Sequence, residues 1–387
     1  MEKIRLLHCI ETISSGGVER IRLTFAKGLD FNKYELKIIC TKAVGPIKNQ
    51  LEALGVEIYE VGQFNSPFEW KKYLKVLKVI YNYKPHIIHG AVFEGMSMAT
   101  VGGLFGKVSV VILEETSFPS TRSKKALFLQ RFYSIFADKV IGIAPSVVQF
   151  LKDKVKISSS KVLLINNGVD IPETCPDQEI FHIKKSLRIE KDDLVIGSVG
   201  RVHNTVKRFS DILQAIKLLN NSKIKFLLVG QGPDLDDLKK MSNQLGIQEQ
   251  FIPVGFQEKP DSYYQIMDIF CLPSAQEGFG LVAAEAMLHN LPVIATKVGG
   301  LQDIVVDNET GFLIPPFSPE MIAKKIQYLI DHPERTKSLG EKGFLRALEN
   351  YTAQRYCSEV EDLYLEFLKK MEIDIKGIRN SQQVLGK

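Results

Sequence analysis

What this chain of 387 residues lacks already narrows what it can be. Its five cysteines, at 9, 40, 175, 271 and 357, are odd in number and carry no paired metal-ligand spacing, so neither a disulfide framework nor a thiolate metal site is indicated. Cys9, Cys40 and Cys271 fall in apolar runs and read as reduced interior residues. No apolar stretch approaches the ~20 residues needed to span a bilayer. Nor is there a signal-peptide pattern: Met-Glu-Lys-Ile-Arg leads straight into an apolar run. These features predict a protein made and kept in the cytoplasm. There is no tandem repeat and no low-complexity tract, and only the residues from about Ile375 onward read as polar and weakly anchored. Charge imbalance is slight as well. A formal net charge of +5 suits phosphate-rich ligands or an anionic membrane surface but is too weak to argue for nucleic acid.

What is present is ordinary globular material, 45% hydrophobic and 25% charged, in a length beyond one core, so two domains are expected. Short apolar runs alternate with longer amphipathic ones. Strands are predicted at Ile4–Ile10, Leu36–Cys40, Glu57–Val61, His86–His89, Val108–Leu113, Val140–Ile143 and Val162–Ile165. Helical patterns lie near 18–29, 46–54, 68–82, 93–105, 124–136 and 146–155. The rhythm resumes with strands at Val195–Val199, Lys225–Val229, Phe251–Val254, Ile269–Leu272, Val293–Ala295 and Phe312–Ile314. Such alternation means an α/β architecture of two doubly wound domains, each a parallel sheet with helices on both faces. Pro172, Pro176 and the charged residues after them break the pattern over Asp170–Glu190, which puts the domains at 1–170 and 171–350. Ligands of such sheets bind beyond the carboxyl ends of the strands, and two sheets facing one another would make a cleft with loops on both walls.

The segment richest in chemical information runs Glu277-Gly-Phe-Gly-Leu-Val-Ala-Ala-Glu285, two carboxylates eight positions apart around a glycine-rich entry into a helix. Asp268–Pro273 before it reads as a buried strand, so Gly278 and Gly280 sit at a strand-to-helix turn. Backbone amides at such a turn are unpaired, and with the helix dipole they attract an anion, typically phosphate. Carboxylates repel phosphate, so Glu277 and Glu285 should accept hydrogen bonds from neutral hydroxyls on either side of it. A diphosphate flanked by polyhydroxylated rings meets that demand, which points to a nucleotide-sugar. In the plainer alternative the glycines only loosen a turn, with Glu277 solvated and Glu285 on an exposed helix face.

Three more loops follow strands. Ser14-Ser15-Gly16-Gly17-Val18-Glu19-Arg20 opens a helix with a glycine turn, a second place for an anion or a close approach. Gly200-Arg201, with Lys207 six residues on, offers a planar fork and a mobile point charge to a diphosphate, or else two solvated cations. Val229-Gly230-Gln231-Gly232-Pro233 is a tight turn lacking the last glycine of a dinucleotide fingerprint, which argues against a nicotinamide cofactor. Asp234, Asp236 and Asp237 behind it read as helix caps more readily than as metal ligands.

Taken together, Gly16-Gly17-Val18-Glu19-Arg20, Asn167-Gly168-Val169-Asp170, Gly200-Arg201 with Lys207, Glu277 through Glu285, and Gly299-Gly300 resemble the motifs of the retaining glycosyltransferases of family 4, over nearly the whole chain. The resemblance implies a GT-B fold: two Rossmann-like domains, with a UDP- or GDP-sugar held mostly by the C-terminal one and no metal or other cofactor. It implies that Arg201 and Lys207 neutralise the diphosphate, and that amides around Phe279, Gly280 and Leu281 and near Gly16 and Gly17 meet the phosphates or sugar. Glu285 would accept from the ribose, Glu277 would lie against the transferred sugar, and Gly255 and Phe256 would border the base. The last helix, about 351–371, would cross back to the first domain on Val360, Leu363, Leu365, Phe367 and Leu368, and closure of the cleft would exclude water. A hexose would pass with retention to a hydroxyl of a carbohydrate or lipid-linked acceptor, in polysaccharide, lipid-linked oligosaccharide or glycolipid synthesis. The leaving phosphate would take the acceptor's proton.

Where many relatives place an acceptor-side histidine, this chain reads Ile112-Leu113-Glu114-Glu115-Thr116-Ser117. Glu115, with Glu114 or His89 as alternatives, is the candidate to orient the acceptor or to stabilise positive charge at the anomeric carbon. The plain readings are a solvated loop glutamate and a structural histidine. Asn290 stands for a glycine before Leu-Pro-Val and tolerates the left-handed conformation of a helix end. Lys124–Phe136, basic and aromatic, reads first as a helix packed on its own sheet and second as one lying peripherally on the inner face of a membrane. Two rivals to sugar transfer stay open: a nucleotide-sugar epimerase or hydrolase of the same fold, and a non-catalytic nucleotide-sugar-binding subunit.

Overall fold

A computed structural model describes residues 3–66, 68–117 and 122–370. The polar end expected from about Ile375 lies outside the described residues. The chain divides into two compact units, one of Met1–Gly168 together with Ala353–Lys387, the other of Val169–Thr352.

Unit 1 runs β1 (Ile4–Cys9), β2 (Thr12–Ile13), α1 (Gly17–Gly28), β3 (Tyr34–Cys40), β4 (Lys42–Ala43), α2 (Pro46–Ala53), β5 (Glu57–Glu60), α3 (Trp70–Tyr83), β6 (Ile87–Ala91), α4 (Val92–Phe105), β7 (Val110–Glu115), α5 (Lys124–Ile135), β8 (Lys139–Gly142), α6 (Pro145–Asp153) and β9 (Val162–Leu164). Seven strands form a parallel sheet in the order β5-β3-β1-β6-β7-β8-β9, and β2 pairs with β4 apart from it. All seven sheet strands match predicted ones, but β7 runs two residues past its expected end and takes in Glu114 and Glu115. The two-residue β2 and β4 are too short to leave a readable period. The central strands are mostly buried because helices cover both faces; all of β6 and β7 is buried. The chain winds from β1 out to β5, then returns past β1 to β6 and on to β9. With right-handed crossovers, α1 and α2 lie on one face and α3 to α6 on the other.

Unit 2 runs α7 (Asp177–Ser186), β10 (Leu194–Val199), α8 (Asn204–Lys207), α9 (Phe209–Leu219), β11 (Ile224–Val229), α10 (Leu235–Leu245), β12 (Phe251–Gly255), α11 (Asp261–Tyr264), β13 (Ile269–Leu272), α12 (Leu281–Leu288), β14 (Val293–Thr296), α13 (Leu301–Ile304), β15 (Gly311–Ile314), α14 (Pro319–Asp331) and α15 (Pro333–Asn350). Its six strands are all parallel, in the order β12-β11-β10-β13-β14-β15. The chain winds outward from β10 to β12, then returns beside β10 as β13. That reversal makes the gap between β10 and β13 the topological switch point, where the loops leaving both strands diverge and room for a ligand opens. Ser198 Oγ donates to the Cys271 carbonyl at 2.7 Å and stitches the two strands together. Beneath them Phe209, Ile212, Phe226 and Ile269 form the buried core.

The chain then returns to unit 1 as α16 (Ala353–Lys370), which packs on α1. Of its expected apolar face Val360, Leu363 and Leu368 are buried, whereas Leu365 and Phe367 are only half-buried; Tyr356 and Tyr364 take their place. Cys9, Cys40 and Cys271 are buried and free, and burial pushes the Cys40 thiol up to about 12. Asn290 has φ +58°, the left-handed helix end expected of it.

Candidate functional site

The loop after β10 is held from three sides. Gly200 takes φ +150° and Gly230 φ +148°, and a Cβ on Gly230 would stand 1.9 Å from the Gly200 carbonyl oxygen. Only glycine lets the exits of β10 and β11 lie against each other. Gly232 does the same against the Val202 carbonyl, which a Cβ would meet at 2.2 Å. The glycines of the 229–233 turn therefore bring backbone to backbone rather than to a ligand. Asp234 stands at the cap position of α10, yet its carboxylate accepts from the Asn204 amide at 2.6 Å instead of capping that helix. The Ala275 amide, in the loop after β13, donates to the Val206 carbonyl at 2.7 Å.

This bracing brings together two side chains that are seventy positions apart. Lys207 Nζ lies 2.5 Å from Glu277 Oε2, and both side chains are mostly buried. Ser274 Oγ donates to the same oxygen at 3.3 Å, and Ser274 is itself tied by Thr296 Oγ1 donating to its carbonyl at 2.6 Å. Arg201 is exposed at the mouth of the β10 loop, with no hydrogen-bonding side chain or ion-pair partner among the described residues.

Glu277 leads into α12 through a turn that only glycine permits. Gly280 has φ +105°, and a Cβ there would meet Leu301 Cδ2 at 2.5 Å. A Cβ on Gly300, where α13 begins, would meet the Gly278 oxygen at 2.6 Å. The first amides of α12, those of Leu281 and Val282, precede the first carbonyls that could accept from them within the helix. Phe279 is buried with its ring edge-on to Tyr351 at 5.6 Å, so its side chain belongs to the core and only its backbone faces the turn. Glu285 is buried one turn into α12, where Tyr264 Oη donates to its Oε2 at 2.7 Å; Tyr264 stacks on His289 at 4.7 Å. At the end of β12, Gly255 has φ +74° and Phe256 is exposed.

In unit 1 the expected residues take other positions. Gly16 caps α1, but the buried Glu19 folds back over it, accepting from Thr12 Oγ1 at 3.0 Å and Ser14 Oγ at 3.3 Å. A Cβ on Gly16 would lie 2.3 Å from Glu19 Oε2. The start of α1, read as an open anion site at Gly16 and Gly17, thus already holds its own carboxylate, which suits the positive end of the helix.

Glu115 is neither in a loop nor exposed. It closes β7 fully buried, with Arg122 Nη1 at 2.5 Å, Gln130 Nε2 at 2.7 Å, and the Ser117 amide and hydroxyl at 3.1 and 2.8 Å. Those donors saturate the carboxylate and leave it no lone pair for an acceptor hydroxyl.

Glu114 and His89 belong to a buried network that seats α16. Arg22 Nη2 donates to Glu114 Oε1 and Oε2 at 2.8 and 2.6 Å and to Tyr356 Oη at 3.2 Å. His89 Nε2 lies 3.0 Å from Glu114 Oε2, and Tyr364 Oη bridges His89 Nδ1 at 2.7 Å and His8 Nε2 at 2.9 Å. Burial pushes the Glu114 carboxyl upward, but the Arg22 guanidinium and the His89 ring outweigh it and hold it at about 2. Burial lowers both histidines below their ordinary value and keeps the rings neutral.

Comparison with known proteins decides the family. The model described as Glycosyltransferase Family 4 matches residues 15–173, and that of Glycosyl transferases group 1 matches residues 179–346. The chain belongs to the family 4 glycosyltransferases. It is 25% identical over 315 residues to the capsular polysaccharide biosynthesis glycosyltransferase CapM of Staphylococcus aureus, covering 78% of this chain and 82% of that one. It is 22% identical over 382 residues to the UDP-Gal:alpha-D-GlcNAc-diphosphoundecaprenol alpha-1,3-galactosyltransferase of Escherichia coli, covering 95% and 98%. Among solved structures, HepE of Anabaena in complex with UDP and glucose superposes with a TM-score of 0.83 at 20% identity, covering 94% of this chain and 99% of that one. These likenesses make the fold GT-B.

In this glycosyltransferase the structure joins Lys207 to Glu277 beside the α12 turn and puts Arg201, Gly280, Leu281 and Glu285 on the loops and helix of the same switch point. It sets Glu115, Glu114 and His89 in packed, buried positions. Sequence reasoning passed over Tyr264 and Ser274, and read Asp234 as a helix cap rather than as the partner of the Asn204 amide. Tyr264 and Glu285 are twenty-one positions apart on different helices, so no periodicity links them.

Proposed function

We propose that unit 2 binds the nucleotide diphosphate of a UDP-sugar and that the enzyme transfers the hexose, with retention and without a metal, to a hydroxyl of a carbohydrate or lipid-linked acceptor on the cytoplasmic side. The observation that carries this reading is the 2.5 Å pair of Lys207 and Glu277 at the switch point. Without ligand, each neutralises a charge that partial burial would otherwise penalise. A diphosphate gives the Lys207 ammonium a stronger partner and releases Glu277 to accept from sugar hydroxyls. Arg201 adds a second cation on the exposed side, and the leading amides of α12 supply uncharged donors. Glu285, oriented by Tyr264, is the acceptor for a ribose hydroxyl. The HepE complexes with UDP and with UDP-glucose support UDP over GDP, and the activities of CapM and the galactosyltransferase support polysaccharide or lipid-linked sugar synthesis.

The chemistry then needs no protein nucleophile. As the bond from the anomeric carbon to phosphate oxygen breaks, charge accumulates on the diphosphate, where Lys207 and Arg201 stabilise it more than in the ground state. The acceptor oxygen bonds to the anomeric carbon from the same face and its proton passes to the leaving phosphate. Lys207→Ala and Arg201→Ala should each cut transfer by about 100-fold or more; loss of the exposed Arg201 should leave the melting temperature without ligand unchanged, whereas Lys207→Ala should lower it by leaving Glu277 without its partner. Thermal shift across UDP- and GDP-sugars identifies the donor, since binding raises stability by mass action. Undiminished turnover in both variants refutes the assignment. Free sugar or isomerised donor as sole product would favour a hydrolase or epimerase, and activity lost in chelator but restored by metal would overturn the metal-free site.

A further inference from the structure

The helices α3 and α5 both pack on α4, on one face of the unit 1 sheet. Each keeps an apolar stripe on its outer side. On α5 the polarity is inverted: the buried residues are Gln130, Tyr133 and Ser134, while Phe128, Phe132 and Ile135 are 70%, 42% and 62% exposed. Their spacing of four and three puts these side chains in one line on the solvent side. The helix packs within its own unit, on α4, through Tyr133, Ser134 and Gln130, and Gln130 faces inward because Glu115 and Arg122 bind it there.

On α3, Tyr73, Val76, Leu77 and Ile80 face the sheet, and Trp70 and Leu74 remain 48% and 53% exposed. Trp70 reaches the end of α4, meeting the exposed Phe105 ring edge-on at 5.3 Å, so the apolar surface continues from one helix to the next.

Charge frames this surface with one sign. Lys124, Lys125 and Arg131 flank the α5 stripe, Lys71, Lys75 and Lys78 flank that of α3, and all six are exposed. Neither helix contains an acidic residue. A second copy would bring the same cations against themselves. A surface that takes apolar side chains into its interior while offering anionic headgroups at its boundary satisfies both features.

We infer that this face of unit 1 docks on an anionic lipid bilayer, with Phe128, Phe132, Ile135, Trp70 and Leu74 entering the headgroup boundary and the six cations on the lipid charges. The inference deepens the proposed lipid-linked acceptor and rests on that reading only for the purpose of docking. No helix among the described residues is long and apolar enough to cross a membrane, so the attachment is to its surface.

Cosedimentation of the full chain with vesicles tests it. The wild type should bind phosphatidylcholine vesicles containing phosphatidylglycerol, should release in high salt, and should bind pure phosphatidylcholine vesicles far less. Reversing Lys124, Lys125 and Arg131 to Glu should weaken binding on the order of a hundredfold, about fivefold or more per charge. Phe128→Ser with Ile135→Ser should also abolish retention. Both variants alter only exposed side chains, and both should keep the wild-type melting temperature and its shift with UDP-sugar. Equal binding of wild type and variants, no binding by the wild type, or equal binding to neutral vesicles overturns the inference. A dimer that Phe128→Ser dissociates would overturn it too, by making the face a self-interface. Vesicle binding intact without a UDP-sugar shift would refute the donor reading instead.

Discussion

Removing the guanidinium of Arg22 should both destabilise unit 1 and reverse the sign of its response to acid. Arg22 is fully buried and its Nη2 donates to both oxygens of the buried Glu114 and to Tyr356. In Arg22→Met the carboxylate stays buried with only the neutral His89 beside it. Stranding one partner of a buried pair costs about 3–5 kcal/mol. A unit of this size loses about 2–4 °C per kcal/mol, so its melting temperature should fall by about 10 °C. In Arg22→Met with Glu114→Leu the stranded charge is gone, and most of the loss should be recovered.

The pH dependence separates this account from simple loss of packing. In the wild type Glu114 sits at about 2, below its ordinary 4.5, so its contribution is present above 4.5 and is lost as pH falls toward 2. Without Arg22, burial pushes the carboxyl above its unfolded value. Folding then takes up a proton, and Arg22→Met should gain stability relative to wild type as pH is lowered from 7 to 5. Thermal unfolding at several pH values, with tertiary signal followed by near-ultraviolet circular dichroism, reads both effects. Equal instability of single and double variants, or a single variant that loses stability in acid as the wild type does, would refute the reasoning.

Three further outcomes follow from other contacts. Gly230→Ala forces a Cβ to 1.9 Å from the Gly200 oxygen at φ +148°, and should cost unit 2 about 3 kcal/mol and weaken UDP-sugar binding, read by chemical denaturation and thermal shift. Tyr264→Phe removes a buried hydroxyl from Glu285 and should cost about 2 kcal/mol while diminishing the thermal shift with UDP; an unchanged shift would deny Tyr264 its orienting role. In the wild type the neutral, buried His8 and His89 take up protons only after the unfolded chain has, so stability should decline as pH falls below about 6.5, seen as a falling melting temperature in low-salt buffer.

The sequence by itself determined the strands of both parallel sheets, because apolar runs bounded by glycine, proline and charge are local signals. It also singled out the residues proposed to act at the switch point. Lys207, Gly280 and Glu277 lie on loops whose place follows from the strands before them, and Gly280 is the residue a left-handed turn demands. Only the tertiary structure decided the fate of polar groups whose partners are remote in the chain. Glu115 read as a group that orients the acceptor or stabilises charge at the anomeric carbon, or else as a solvated glutamate, and is instead buried with Arg122 and Gln130 closed on it. His8 and Tyr364, 356 positions apart, meet because α16 returns to the first sheet. The same holds for α5, since helical periodicity identifies a stripe but not which side of it faces the core. A periodic pattern reports neighbours within one element; burial is a property of what other elements bring to it.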